Sequence, residues 1–145
     1  MNAPRLYRVV LPVSDIEVAS RFYGDVFESK GERVSPGRHY FDCDGLILAC
    51  YDPVADGDPV GEGWKQHENQ YLYFSVLDLD VIRHRIEEAG GHNLTEVEEM
   101  PWGERMFYAL DPLGSRISFV DRSTVFTGSE RLGAAQAGFS GQMVK

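Results

Sequence analysis

Tyr7-Arg8-Val9-Val10-Leu11-Pro12-Val13-Ser14-Asp15 returns in altered form as Gln70-Tyr71-Leu72-Tyr73-Phe74-Ser75-Val76-Leu77-Asp78. Each stretch is a β-rich run that ends in an Asp, and each leads through an apolar residue into a helical pattern. Self-similarity between the halves of a chain marks a duplicated unit. The first helix is predicted over Ile16-Glu17-Val18-Ala19-Ser20-Arg21-Phe22-Tyr23 and the second over Leu79-Asp80-Val81-Ile82-Arg83-His84-Arg85-Ile86-Glu87-Glu88-Ala89. Ser14 or Asp15 supplies the N-cap of the first and Asp78 that of the second, because a short oxygen-bearing side chain can accept from the unpaired N–H groups there. Gly90-Gly91 closes the second helix in the left-handed conformation that glycine adopts without strain.

Further β-rich runs follow each helix. In the first half they are residues 38–42 and 46–51, joined by Asp42-Cys43-Asp44-Gly45. In the second they are residues 105–110 and 115–121, joined by Asp111-Pro112-Leu113-Gly114. Asp-Gly and Asp-Pro in short gaps between β-rich runs are hairpin signals. A strand near residues 93–98 precedes this hairpin, with a counterpart near residues 31–34. Each half therefore reads βαβββ, and the fold class is α+β. Residues 1–145 form a single domain: a first module at 5–51, a connecting segment at 52–69, a second module at 70–121 and a tail at 122–145. The tail has weak helical potential near residues 130–137.

Composition sets outer limits. With 145 residues, the chain matches the usual size of one domain, roughly 100–150 residues. Its 43% hydrophobic and 26% charged residues argue for a packed globule rather than disorder. The formal net charge of −9 argues against a nucleic-acid partner, because phosphate contacts need clustered Lys and Arg. No apolar run approaches the roughly 18 residues of a membrane span, so no membrane partner is expected. The start of the chain lacks the apolar core of a secretory signal, which makes the cytoplasm the expected location. Cys43 and Cys50 are too few for a disulfide framework and belong to no C-x-x-C pair, so they read as reduced thiols in a sheet.

Several segments occur in a telling order: Leu11-Pro12-Val13-Ser14-Asp15, then Arg21-Phe22-Tyr23, then Pro101-Trp102-Gly103-Glu104-Arg105. The hairpin Phe107-Tyr108-Ala109-Leu110-Asp111-Pro112-Leu113-Gly114-Ser115-Arg116-Ile117 follows. Together, over about residues 5–121, they resemble the vicinal oxygen chelate superfamily, which contains glyoxalases, bleomycin-resistance proteins and extradiol dioxygenases. The resemblance implies two tandem βαβββ modules in an open, curved mixed sheet whose concave side holds a ligand. It also implies a two-fold homodimer, with modules paired across the interface and sometimes with swapped halves.

Catalytic relatives imply a divalent metal in that concavity, held by His and Glu on the first and last strand of each module. Counting from the helix-opening Asp and the hairpin Gly puts those positions at Arg8, Ala49, Tyr71 and Ser118. None is a His or a carboxylate. A guanidinium has no acceptor and stays protonated, and a cation at Arg8 would repel a divalent ion. Slipping the register by one brings in Tyr7 or Val9, Gln70 or Leu72, and Ile117 or Phe119, which restores no site. Neither a metal nor another cofactor is expected, and metal-dependent glyoxalase or dioxygenase chemistry is not expected either.

Strand side chains alternate between faces. With Arg8 in the cleft, Leu6 and Val10 join it, while Val9, Leu11 and Val13 point toward the helices. Tyr71, Tyr73 and Ser75 then face the cleft, and Leu72, Phe74 and Val76 form the back. Arg116 and Ser118 face in while Ile117 and Phe119 face back; Ile47, Ala49 and Tyr51 face in while Leu46, Leu48 and Cys50 face back. The expected ligand-binding residues are Arg8, Tyr51, Tyr71, Tyr73, Arg116 and Ser118, with Trp102 stacking on a flat ligand. Aromatic walls with a few placed polar groups are the usual make-up of a small-molecule pocket.

Two arginines on one face suggest an anionic group held by planar forks. The alternative is that they pair with Asp42, Asp44 or Glu104. The tyrosines and Trp102 have packing as their alternative role, and Trp64 reads as a lid or a surface anchor. His39 is the one histidine in a candidate cleft strand, either a general base or a packed side chain; His67, His84 and His92 look peripheral. No nucleophile elbow or phosphate-cradling glycine loop is present. The leading reading is metal-independent binding of a small aromatic or polar molecule, of the sequestration or resistance type. One alternative is an enzyme of the same superfamily with displaced metal ligands, or with acid–base chemistry from Tyr71, Tyr73, Arg8 and His39. Another is a protein-interaction module, which predicts a filled cleft.

Overall fold

The computed structural model describes residues 3–61 and 64–126. The tail beyond residue 126, including the helical potential near residues 130–137, lies outside the described residues. The first module runs β1 (Arg8–Pro12), α1 (Ile16–Phe27), β2 (Glu32–Ser35), β3 (Arg38–Cys43) and β4 (Leu46–Tyr51). A short helix, α2 (Pro53–Asp56), opens the connection. The second module runs β5 (Leu72–Val76), α3 (Leu79–Ala89), β6 (Glu98–Glu99), β7 (Arg105–Leu110) and β8 (Arg116–Asp121), followed by a 3₁₀ turn at Arg122–Thr124. Each half is βαβββ, as the repeat predicts.

The two helices start in the same way. Asp15 accepts from the backbone N–H of Glu17 at 3.0 Å and of Val18 at 3.1 Å. Asp78 accepts from Asp80 at 3.0 Å and from Val81 at 3.2 Å. Each carboxylate thereby pairs two N–H groups that the first turn leaves open. Of the two candidates for the first cap, Asp15 holds the position. Helix α1 runs on to Phe27, past the predicted end, because Val26 and Phe27 continue its apolar stripe into the core. It stops at Glu28, a non-glycine residue at φ 53, whereas α3 stops at Gly90, at φ 104.

Each module forms its own open, mixed sheet, in the orders β1-β4-β3-β2 and β5-β8-β7-β6. β1 runs parallel to β4 and β5 parallel to β8, while the remaining pairs are antiparallel. β1 and β5 are edge strands within the described residues. α1 packs on β3 and β4, α3 packs on β8, and the helices pack on each other, giving the order sheet, helix, helix, sheet. The main core therefore lies between the sheets.

Alternation along the strands sets which residues enter that core. Val9, Leu11, Phe74, Ile117 and Phe119 turn toward the helices, while Arg8, Val10, Tyr73 and Ser75 alternate with them and are exposed. Phe74, Phe119 and Phe107 stack across three strands at 5.2 and 5.5 Å between centroids. Phe27 of α1 meets Phe74 at 5.3 Å, joining the modules through aromatic contact. A polar bond joins them as well: the Tyr23 hydroxyl donates to Asp111 Oδ2 at 2.6 Å. Asp111 Oδ1 accepts from the N–H groups of Leu113 and Ser115, both at 2.9 Å, so this buried carboxylate is fully bonded. Burial first, then Asp111, raises the pKa of the Tyr23 hydroxyl well above its ordinary value.

Candidate functional site

The outer face of the first sheet is built on Ala49, whose small side chain forms a low point between Val10 of β1 and Tyr40 of β3. Arg8 stands beside it. Its guanidinium carbon lies 4.8 Å from the Tyr7 ring centroid and 5.1 Å from that of Tyr40, and it donates to the Tyr7 hydroxyl at 2.9 Å. It makes no ion pair among the described residues. Two ring faces and one phenol therefore orient an uncompensated cation.

Tyr51 ends the same face and is already engaged. Its hydroxyl donates to Asp58, the Arg38 guanidinium lies 4.3 Å from its ring centroid, and Trp64 meets it edge-on at 5.5 Å. Arg38 in turn pairs with Asp56, and Asp56 accepts from Gly37 N at 2.6 Å and Ser35 Oγ at 2.9 Å. The hydrogen bond to Asp58, followed by burial, raises the pKa of the Tyr51 hydroxyl.

On the outer face of the second sheet, Ser118 of β8 lies between Tyr73 of β5 and Tyr108 of β7. Tyr71 meets Tyr108 edge-on at 5.6 Å. Met106 and Val120 are paired on the same face and buried. Burial first, then the neighbouring Tyr73 hydroxyl, raises the pKa of Tyr108, which keeps it a neutral phenol. Arg116 lies 5.7 Å from the Tyr71 ring centroid, with its guanidinium on the carbonyls of His67 and, at 3.2 Å, Gln70. Gln66 bonds the Arg116 backbone twice, accepting from its N–H at 2.6 Å and donating to its carbonyl at 3.1 Å. Trp102 occupies the turn before β7; its Nε1–H donates to Glu104 at 2.9 Å and its ring is partly exposed.

The sequence-predicted residues thus fall into two groups. Arg8 and Tyr51 stand on the first sheet; Tyr71, Tyr73, Trp102, Arg116 and Ser118 stand on or beside the second. Among the described residues, no hydrogen bond, ion pair or ring contact links the two groups. Neither Arg8 nor Arg116 pairs with Asp42, Asp44 or Glu104. Arg116 instead holds the connecting segment, which leaves Arg8 as the unpaired cation of the two.

His39 does not serve as a base on this face. It is paired in register with Cys50, buried, and packed 5.0 Å from Phe41. Nδ1 accepts from Arg33 Nε at 3.1 Å, and because guanidinium nitrogens only donate, the ring proton sits on Nε2 and donates to Lys30 O at 2.8 Å. Both ring nitrogens are occupied.

Sequence reasoning missed Tyr40 and Tyr108. Extending the same alternation into the middle strands β3 and β7 would have found both, since each is the register partner of an outer-face residue. A cavity of about 910 Å³ lies elsewhere, between the sheets along β1 and β5. Val9, Phe27, Leu72 and Phe74 line it, together with Asp44, Arg85 and the edge-strand residues Tyr73 and Ser75.

The set Arg8, Ala49, Tyr71 and Ser118 offers a cation, a methyl group and two hydroxyls, and does not fit a divalent ion. Among the described residues, no three His, Cys, Asp or Glu side chains gather where they could hold one.

The model of the Glyoxalase/Bleomycin resistance protein/Dioxygenase superfamily matches residues 5–119. Among solved structures, a glyoxalase-related enzyme from Fulvimarina pelagi is 21% identical with a TM-score of 0.68, covering 88% of this chain and 94% of its own. A glyoxalase/bleomycin resistance protein from Albidiferax ferrireducens T118 is 19% identical with a TM-score of 0.65, covering 80% and 98%. A lactoylglutathione lyase from Agrobacterium tumefaciens is 19% identical with a TM-score of 0.64, covering 83% and 96%. At these identities the structures share the fold. The chain belongs to the glyoxalase/bleomycin resistance protein/dioxygenase superfamily.

Proposed function

We propose that this member of the superfamily binds a small aromatic or polar molecule without a metal, as a cytoplasmic homodimer that sequesters its ligand. One observation carries the reading. At Arg8, Ala49, Tyr71 and Ser118, the positions that the family resemblance assigns to a metal, no His or carboxylate stands, and the outer faces around them present tyrosine rings, an oriented cation and hydroxyls. Such a surface recognises a flat molecule by stacking and hydrogen bonding. The raised hydroxyl of Tyr108 stays protonated at neutral pH and that of Tyr51 is committed to Asp58, and neither suits proton abstraction.

The dimer is supported by incompleteness. β1 and β5 both end their sheets, and Leu6, Tyr7, Val10, Tyr73 and Leu77 are exposed on or beside these strands. A second copy that sets its β5 beside β1 would bring the Tyr71–Ser118 face opposite Arg8 and close a cleft neither face makes alone.

The test is calorimetry with aromatic probes on chelator-treated protein, alongside gel filtration. Binding unchanged by chelation, to a species twice the chain mass, is the expected result. Stoichiometric metal in purified protein, with ligand binding lost on its removal, would refute the metal-free reading, and a ~16 kDa monomer would refute the dimer.

A further inference from the structure

A further cleft, of about 560 Å³, opens where the two modules and the connecting segment meet. Its walls are residues 12–14 at the end of β1, residues 113–115 in the turn between β7 and β8, and residues 64–68 of the connecting segment. The connecting-segment wall is fixed in place. Gln66, buried, bonds the Arg116 N–H at 2.6 Å and the Arg116 carbonyl at 3.1 Å. The Arg116 guanidinium in turn bonds the carbonyls of His67 and Gln70. A wall held this way is positioned before any ligand arrives, which lowers the cost of binding.

Ser115 is the buried polar residue on this cleft. It is 6% exposed, and its N–H and carbonyl are both bonded to Asp111 at 2.9 Å. Its Oγ has no hydrogen-bond partner among the described residues. Among them, Ser118 Oγ is the one unpartnered side-chain polar atom that is sealed from solvent. The Ser115 Oγ therefore keeps an opening, and the opening is the cleft that Ser115 lines. Its neighbours are free as well. His67 Nδ1 accepts from the Asn69 N–H at 3.0 Å, so the proton of the neutral ring sits on Nε2, which bonds nothing among the described residues. Lys65 and Glu68 line the cleft, are exposed, and form no ion pair among the described residues. The remaining wall is apolar: Pro12, Leu113 and Trp64, whose ring is braced edge-on against Tyr51 at 5.5 Å.

We propose that this cleft binds a free α-amino acid with an apolar side chain, its carboxylate on Ser115 Oγ and Lys65, its ammonium on Glu68, and its side chain against Trp64 and Leu113. One unpaired cation and one unpaired carboxylate match a zwitterion. A simple carboxylate would set its charge beside Glu68, and a simple amine would set its charge beside Lys65 and leave the Ser115 hydroxyl unanswered. A phosphate dianion would meet one free cation and one opposing carboxylate. The site is separate from the outer faces, so it stands or falls independently of the binding function proposed above.

The test uses the full chain and three probes: L-leucine, 4-methylpentanoate, which lacks the ammonium, and 3-methylbutylamine, which lacks the carboxylate. Binding is followed through the indole N–H resonance of Trp64. Leucine should move that resonance, and each one-charge analogue should bind about tenfold more weakly, the factor that one charge-assisted hydrogen bond supplies. Ser115→Ala should melt as the wild type does, because the backbone keeps both bonds to Asp111, and should bind leucine about tenfold more weakly. Lys65→Gln should weaken leucine and 4-methylpentanoate but not the amine, and Glu68→Gln should weaken leucine and the amine but not the carboxylate. Equal affinity for leucine and 4-methylpentanoate would overturn the zwitterion assignment. So would a leucine affinity unchanged by Ser115→Ala, or a Trp64 resonance that leucine does not move. A Ser115→Ala variant that melts lower would show that the hydroxyl is already bonded within the protein, and would also overturn it.

Discussion

Tyr23→Phe removes one oxygen from the bond that ties the two modules together across the core. The Tyr23 hydroxyl and Asp111 Oδ2 are 2.6 Å apart, and both residues are essentially unexposed. Phenylalanine fills almost the same space, so the loss is the hydrogen bond itself. Asp111 keeps two backbone donors on Oδ1, but Oδ2 is left without a donor in a place water does not reach. A hydrogen bond to a charged group contributes about 1.5–3 kcal/mol, and an orphaned partner moves the cost toward the upper end. With a urea slope near 2 kcal/mol/M, the midpoint should fall by about 1 M at unchanged slope. Asp111→Ala should cost more, because the N–H groups of Leu113 and Ser115 lose their acceptor too. In a double-mutant cycle the two substitutions should couple strongly rather than add. The pH dependence follows from the direction of the Tyr23 shift. The folded state holds the phenol proton more tightly than the unfolded chain does. This contribution is therefore intact below the unfolded tyrosine pKa of about 10 and is lost as pH rises toward the higher folded value. Tyr23→Phe should flatten the alkaline loss of stability. A midpoint shift below about 0.2 M, or additive effects in the cycle, would show that this bond does not hold the modules together.

Asp15→Ala and Asp78→Ala should each destabilise by about 1 kcal/mol in denaturant titrations, since each cap carboxylate pairs two N–H groups. Cys50 is buried and its thiol is pushed up to about 12, first by burial and then by Asp111. It should resist alkylation at pH 8 in the folded protein and react at the rate of a free thiol once the chain is unfolded. Arg8→Ala should weaken 2-naphthoate binding about tenfold in calorimetry while leaving 2-acetylnaphthalene unaffected, because the uncompensated guanidinium addresses only the anion.

The repeat and the strand faces were legible because they are local properties. Period-two alternation assigned Arg8, Val10, Tyr73 and Ser75 to one side and Leu11, Phe74 and Ile117 to the other without reference to distant contacts. The helix starts were equally plain, since an Asp ahead of an apolar stripe has one obvious structural use. Whether the two outer faces meet was not legible. That depends on how the helices pack, and here α1 and α3 together with Phe27, Phe74 and the Tyr23–Asp111 bond occupy the space between the sheets. The role of Arg116 was hidden for a similar reason. Its partners are main-chain carbonyls of the connecting segment, and a carbonyl looks the same at every residue. His39 followed the alternation of β3, but its burial arose from the neighbouring Arg33 and Lys30, which the pattern of its own strand does not record.

The two faces differ in charge, and that difference separates the chain acting alone from the chain acting in pairs. The first sheet offers a cation oriented by Tyr7 and Tyr40; the second offers the neutral phenols of Tyr71 and Tyr73. A ligand satisfied by one face needs only an anion or only a neutral oxygen. A ligand satisfied by both needs an anionic end and a neutral oxygen across one aromatic body, and no described contact brings those faces together within a chain. For 6-acetyl-2-naphthoate, closure by a second copy therefore predicts an affinity well above that for either one-ended probe, because the second contact forms at high effective concentration. That gain should vanish on dilution into monomers, and it should be removed equally by Arg8→Ala and by Tyr71→Phe. An affinity for the two-ended probe no better than for 2-naphthoate at every protein concentration would mean that the faces act separately and that the pairing of β1 with a partner strand does not build the site.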